Sequence, residues 1–480
     1  MSNTLVLTVI ISFFGLLFLI SWLTSRNTDS ETFFTGNRKS PWYLVAFGMI
    51  GATISGVTFI SVPGEVGTTA WNYFQFILGN FVGYWIIALV LLPLYYRMNL
   101  VSIYEYLDNR FGFRSYKTGS FFFLVSQTIG ASFRLFLIAG VLQLAFFDAL
   151  GIPFWMTVFG TILLIWLYTY KAGIKTVVWT DTLQTLFILL SVGITIVVIL
   201  KDLNMSVTEM AAAVYKHPHS SIFEWEWRSG TNFFKQFIAG IGITIVMTGL
   251  DQNMMQKNLT CKNINEAQKN LFWFSGAFVI ANMLFLTLGV MLYYYAETMG
   301  IAVPARTDDF FPELAINHFG IITGIFFLLG ISAAAYSSAD SALTALTTSF
   351  CIDFLNIDPK SKSAKKRRML VHISFSLIMF IVIVLFRIIN DESVVTSVFR
   401  AAGYTYGPLL GLFTFGILTK RMVYDKWVPY IAVASPILCY IIDSNSEKWL
   451  GGYQFGFELL LLNGLIVFTG LMLITKRKKY

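Results

Sequence analysis

The chain has 480 residues, 56% of them hydrophobic and only 12% charged, with 46 Phe and 12 Trp. Soluble domains carry about 25% charged residues, so this composition excludes a soluble enzyme or binding module and implies an all-α polytopic membrane protein, whose backbone must satisfy its own hydrogen bonds in lipid. The net charge of +8 does not mark a nucleic-acid binder, because most Lys and Arg fall in alternate connections between apolar runs, as the positive-inside rule requires.

Apolar runs long enough to cross a bilayer lie near 4–24, 42–63, 72–96, 118–147, 152–170, 174–200, 233–252, 268–297, 318–350, 369–389, 394–418, 425–443 and 455–475, which predicts about 13 transmembrane helices. The basic connections begin with Arg26, Arg38 and Lys39 and continue through Arg97 to Lys117, Lys171 and Lys175, Lys257 to Lys269, Lys360 to Arg368, Lys420 to Lys426 and the tail from Lys476 to Lys479. That side is read as cytoplasmic, with the N-terminus and the loops 203–229 and 299–316 outside and the C-terminus inside. The first run has no basic flank before it and is not read as a cleaved signal peptide. Cys261, Cys351 and Cys439 lie at helix ends and within a span, which argues against a disulfide framework. The four histidines lack metal-ligand spacing, and His217 and His219 are expected in solvent. No connection is long enough to hold an enzyme domain.

The second run contains GMIGATISGVTFISVPG, residues 48–64. Its glycines, hydroxyl side chains and proline favour a broken helix, tolerated in a membrane only where the freed backbone groups face protein or a cavity. Close packing through Gly48, Gly51, Ala52 and Ser55 is the plainer reading of the same residues. Pro63 and Gly64 are expected to close this span. In the third span Gln75 either faces a cavity or bonds between helices, and the loop LVSIYEYLDNRFGFRSYK is expected to lie along the headgroups.

Arg134 sits near the middle of the fourth span, in SQTIGASFRLFLIAGVLQ. A charge at that depth costs about 2.5 to 3.5 kcal/mol even on lenient scales, so it must face the bundle and have a partner. Two readings stand: an anion-binding residue, or a structural pair with Glu65 or a row of carbonyls. Asp181, between Thr180 and Thr182 in the sixth span, is either an ion ligand or a hydrated acid near the interface.

The seventh span, GIGITIVMTGLDQNMMQKNL, resembles the opening stretch in kind, with Gly240, Gly242 and Gly249 interrupting an apolar helix. Two broken spans five helices apart suggest repeats over 42–202 and 233–419. An odd helix count makes the second repeat enter from the opposite side, a five-plus-five inverted repeat with broken first and sixth core helices. The segment 4–24 is then an extra N-terminal helix, and the two helices in 425–475 are expected to be lipid-facing additions. The ninth span carries ISAAAYSSADSALTALTTSF, where Ser337 and Ser341 share a face beside Ser338 and Asp340. An acid and several oxygens within one turn suit a small hard cation.

Six pieces together, GATISGVTFISVPG, RLFLIAGVL, VVWTDTLQ, Asp251 to Leu259, AAAYSSADS and GYTYGPLLGLF, resemble the sodium/solute symporters, whose core has the fold first described for the bacterial leucine transporter. The motif pattern is most similar to bacterial sodium/sialic acid symporters. The resemblance implies a Na+ site formed by the carbonyls of Gly51, Ile54 and Ala334 and the hydroxyls of Ser337 and Ser338. It implies a second ion site at Asp181, Asp340 and Ser341 with Ser337 or Ser338, although Asp340 stands where well-known members have a small residue. Ser55, Thr58 and Arg134 look like the carboxylate-binding residues of the sialic acid branch. Met247 and Thr248 replace the Tyr-Trp pair of the sugar branch, which argues against a glucose-type site. The resemblance thus implies a sodium-coupled symporter in the plasma (inner) membrane, not an enzyme, working as a monomer by alternating access on a carboxylate-bearing solute such as sialic acid. The alternatives are a neutral solute, proton coupling, or a different class, a channel or sensor. A channel would show a pore loop or charged rings, and the chain ends too soon after its last span for a fused signalling domain.

Overall fold

The computed structural model describes residues 3–24, 38–100, 102–143, 147–169, 174–357, 364–389 and 394–476. Arg26, Lys171, Lys360, Lys362 and the tail Arg477 to Lys479, all among the cations assigned to the inner side, lie outside the described residues. Each of the 13 predicted apolar stretches is helical. Among the described residues, eight helices are long and apolar enough to cross a membrane, ten if two bent pairs each count as one span. There are no strand ladders there, only two isolated bridges.

In chain order, α1 is Asn3–Thr24, α2 Trp42–Thr53, α3 Gly56–Thr69, α4 Tyr73–Ile86, α5 Leu92–Met98, α6 Glu105–Arg110, α7 Phe113–Leu142, α8 Phe154–Thr169, α9 Ile174–Asp202 and α10 Val207–Lys216. There follow α11 Phe233–Thr244, α12 Gln252–Asn258, α13 Ile264–Met299, α14 Phe310–Asn317, α15 Gly320–Ser349, α16 Ala364–Ile389, α17 Val394–Thr405, α18 Gly407–Leu418, α19 Val428–Ser444, α20 Ser446–Trp449 and α21 Leu459–Leu473. The long α9 and α15 lie along each other, and α2 packs against both, so the first break is held between them.

The break between α2 and α3 falls at Ile54 and Ser55, where ψ turns to 73° and 174°. Ser55 N–H donates to Thr53 O (2.8 Å) instead of Gly51 O, and Phe59 N–H restarts the ladder on Ser55 O. Carbonyls at the end of α2 and N–H groups at the start of α3 are thereby released from helical pairing at one depth. Gly51 is required by a close approach: a Cβ there would lie 2.2 Å from Thr185 Oγ1. That hydroxyl accepts from Gly51 N–H (3.0 Å) and ties α2 to α9.

The second break follows α11, where a wide turn over Ile245–Gly249 leads to α12 with a bend of 71°. Asp251 caps α12, its Oδ1 accepting from Asn253 N–H (2.9 Å) and Met254 N–H (3.2 Å). The freed carbonyls are covered by phenols: Tyr95 donates to Gly249 O (2.8 Å) and Tyr104 to Leu250 O (2.9 Å). A third bend, of 50°, separates α17 from α18, and the Asn463 amide of α21 donates to Gly403 O (3.0 Å) and Tyr404 O (2.8 Å) there.

Several expectations change. The helix does not close at Pro63 and Gly64 but runs on to Thr69, since a proline removes only one ladder bond and Gly64 O takes another donor, Tyr293 Oη, at 2.7 Å. The segment after α5 does not lie along headgroups: Ile103, Tyr104 and Leu107 are fully buried, and Ile103 N–H donates to Gln252 Oε1 (2.9 Å), under the second break. Of the two C-terminal helices, α19 exposes most of its apolar surface, but α21 is not a mere lipid-facing addition, because it packs along α18 and its Asn463 satisfies a bend in the core. His217 is not solvated: its side chain is 8% exposed and its Nε2 lies 3.6 Å from Glu297 of α13. Gln75 bonds between segments, donating to Thr231 O (2.9 Å) and accepting from Glu224 N–H (3.1 Å).

Candidate functional site

The released start of α3 opens onto a cavity of about 90 Å³ whose lining includes Ser55, Thr58, Arg134, Tyr73, Phe76, Asn80 and Phe399. The structure thus brings together the three residues named from the sequence as a carboxylate site, from α3 and α7. The first-turn N–H groups of Gly56, Val57 and Thr58 have no partner within the helix, and the N-terminal dipole favours negative charge at that end. Arg134 adds a full positive charge and a planar fork of donors suited to a carboxylate. Met247 and Thr248 line the same space.

Arg134 does not pair with Glu65. Its electrostatic neighbours are Asp251 and Tyr406, whereas Glu65 Oε1 accepts from Thr396 Oγ1 (3.2 Å). Asp251 already accepts two backbone N–H bonds and the Tyr406 hydroxyl (2.8 Å). Much of its charge is therefore answered before Arg134 is reached, which leaves guanidinium donors for a second anion.

At the end of α2, Ser338 Oγ lies 3.3 Å from Ala334 O and 3.5 Å from Ala52 O. Ser338 and Ala334 thus lie at the released carbonyl end, where the released carbonyl nearest Ser338 is that of Ala52 rather than Gly51 or Ile54. Hydroxyl and carbonyl oxygens at a negative helix end are a donor set that fits Na+ as a hard cation. Gly51 and Ile54 are buried at the same break.

Ser337 turns away from that group. Its hydroxyl donates to Asp181 Oδ1, and Asp181 Oδ2 is 2.7 Å from Lys257 Nζ, with both charged side chains 1% exposed. Lys257, counted among the inner-side cations on sequence, is therefore buried, and Asp181 is not a hydrated interfacial acid. Asp340 and Ser341 are buried one turn further along α15.

A second cavity, of about 220 Å³, is lined by Glu65, Tyr73, Thr396, Arg400 and Phe457. Tyr73 borders both cavities. Between them Phe76 meets Phe399 at 5.0 Å and Phe457 at 5.6 Å, and Phe399 meets Phe457 at 4.9 Å between ring centroids. A sugar acid exceeds the inner cavity, which has room for several waters, so these rings must part to admit one.

The sodium/sialic acid symporter NanT of Aliivibrio fischeri is 25% identical over 423 residues, covering 83% of this chain and 80% of that protein. The sodium/sialic acid symporter SiaT of Proteus mirabilis is 25% identical over 413 residues, covering 83% and 82%. A solved structure of a Na+-coupled sialic acid symporter, substrate-bound and outward-open, superposes with a TM-score of 0.82 over 98% of this chain and 99% of that one, at 21% identity. That likeness establishes the five-plus-five inverted-repeat fold. The model of the sodium:solute symporter family matches residues 33–425, and the chain belongs to that family, as a Na+-coupled membrane transporter and not an enzyme.

Proposed function

We propose that the solute carried with Na+ is a carboxylate-bearing one, a sugar acid such as sialic acid first, bound by Arg134, Ser55, Thr58 and the start of α3. The observation that carries this is the convergence of a cavity-lining arginine and an unpaired helix N-terminus on one space between the two broken helices. The names of the curated relatives point to the same chemistry. Na+ binds at the end of α2 with Ala334 and Ser338, beside Gly51 and Ile54, and joins α2 to α15. Because the solute site starts one residue beyond, ordering of the break by the ion favours solute binding, a positive coupling. The repeats run over 42–202 and 233–419. The basic connections face the cytoplasm, the C-terminus is inside, and inward potential supplies about 2.3 kcal/mol per charge per 100 mV. One chain carries every element of both sites and works as a monomer.

The test is uptake into proteoliposomes under an imposed gradient, with Na+ replaced by choline, alongside a thermal-shift screen of sialic acid, smaller monocarboxylates and neutral sugars. Ligands that bind the folded state raise its melting temperature. Sialic acid or another acid should do so more strongly with Na+ present. Stabilisation by neutral sugars alone would sink the carboxylate reading.

A further inference from the structure

Lys257 lies at the last turn of α12, where the sequence places it with the cations of an inner connection, yet it is 1% exposed. Its ammonium is 2.7 Å from Asp181 Oδ2 on α9, and Ser337 Oγ of α15 donates to the other carboxylate oxygen. One positive charge thus sits among three helices at Asp181, one of the two acids on which the second ion site was predicted. We infer that Lys257 is a tethered cation that takes the place of a second transported ion, so that its ammonium and a Na+ at Asp181 exclude one another. The inference rests on the sodium-coupled reading of the site at Ser338, from which it adds the number of ions.

The exclusion follows from charge and space. Asp181 offers one negative charge, and a Na+ on its oxygens would lie within about a hydrogen-bond length of the ammonium, where two like charges in a buried site repel strongly. The threonine hydroxyls flanking the acid on α9 are committed: Thr182 Oγ1 donates to Val178 O (2.8 Å) and Thr185 Oγ1 bonds to Phe47 O and Asp181 O. Gly48 brings α2 against the Asp181 side chain, where even a Cβ would be 3.2 Å from Asp181 Cβ, so α2 closes that side of the acid to an ion with its water. With the ammonium removed, the Asp181 carboxylate of α9 and the Ser337 hydroxyl remain together, with Asp340 and Ser341 buried about one turn further along α15, oxygen donors of the kind that suit a small hard cation.

The position also has a mechanical consequence. Lys257 is on the short half of the second broken helix, and its bond pins that half to α9 and α15. A mobile ion at Asp181 would pin only α9 to α15. The tether therefore ties the inner end of α12 to the ion-binding helices independently of Na+ concentration.

The experiment is equilibrium binding of radioactive sodium alone to the purified full chain by scintillation proximity, without solute. The parent should bind one Na+ per chain and Lys257→Met two, with the added class about tenfold or more weaker than the first. Lys257→Met with Asp181→Asn, which removes both charges and keeps the volumes, should return to one. Where Lys257→Met fails to fold, Lys257→Gln, which removes the charge but keeps a hydrogen-bond donor for Asp181, takes its place and should also bind two, and a parent that binds two Na+ overturns the inference whichever variant is recovered. A Lys257→Met chain that folds and binds no more Na+ than the parent overturns it as well. A parent that binds none while Lys257→Met binds one would strike the Ser338 site and leave the assignment of Lys257 standing.

Discussion

Tyr406 Oη lies 2.8 Å from Asp251 Oδ2, and this bond joins the bend between α17 and α18 to the cap of α12. The same phenol lies 3.3 Å from Gln127 of α7. One carboxylate therefore holds two helix breaks in register and is an electrostatic neighbour of Arg134. Tyr406→Phe keeps the ring and leaves a buried carboxylate oxygen short of a donor, at a cost of about 1 to 3 kcal/mol. Thermal melting of the purified protein should show that loss. Asp251→Ala combined with Tyr406→Phe should cost less than the sum of the two changes, because each removes the same bond. Strict additivity would mean that the bond does not contribute.

Arg134→Lys retains the charge and loses the fork, so the affinity for an acidic solute should fall at least about tenfold. Glu65→Gln is the internal comparison. Because Glu65 bonds Thr396 in the outer cavity rather than Arg134, it should leave solute affinity within about twofold, since the amide keeps an oxygen for the threonine. Isothermal titration with Na+ present reads both. A large effect of Glu65→Gln together with a silent Arg134→Lys would restore the structural pairing.

What the sequence reveals is the punctuation of the helices. Gly51, Ser55, Gly249 and Asp251 mark the breaks because a membrane helix is otherwise continuous, and their chemistry can be read locally. Arg134 and Asp181 stand out because a charge in an apolar run has few explanations. The partners are not legible in the same way. Lys257 lies 76 positions from Asp181, and a lysine at the end of a span looks the same whether it reaches headgroups or folds inward. The burial of the polar α12 on every side depends on Tyr104 and Ile103 from another connection. Phe457 gave no signal, since an aromatic near a membrane surface is ordinary. Its role comes from where α21 docks.

Ser338→Ala removes one hydroxyl at the end of α2 and little volume. It should raise the Na+ concentration for half-maximal uptake severalfold, on the scale of about 1 to 1.5 kcal/mol for one oxygen ligand, without lowering the melting point measured in choline. Ser337→Ala should behave differently, because its hydroxyl serves Asp181. It should lower that melting point and change the Na+ dependence less. Equal effects of the two on Na+ activation would place both serines at one ion.

Phe457 gives the last prediction. Its ring closes the outer face of the cluster with Phe76 and Phe399, between the cavity that holds Arg134 and the one that holds Glu65. Each aromatic pair contributes about 0.5 to 1.5 kcal/mol beyond burial, and Phe457→Ala removes two of them from the closed arrangement alone. The equilibrium should then move toward the form open on that side by roughly fivefold or more, since about 1.4 kcal/mol is a factor of ten. Solute binding from that side should tighten, because a larger fraction is competent to bind, while turnover should fall as closure becomes the slow step. Thiol labelling of Ser55→Cys, measured in Na+ without solute, should be faster in the Phe457→Ala background. Labelling at the parental rate, with solute affinity unchanged, would show that the Phe457 ring does not close the cavity.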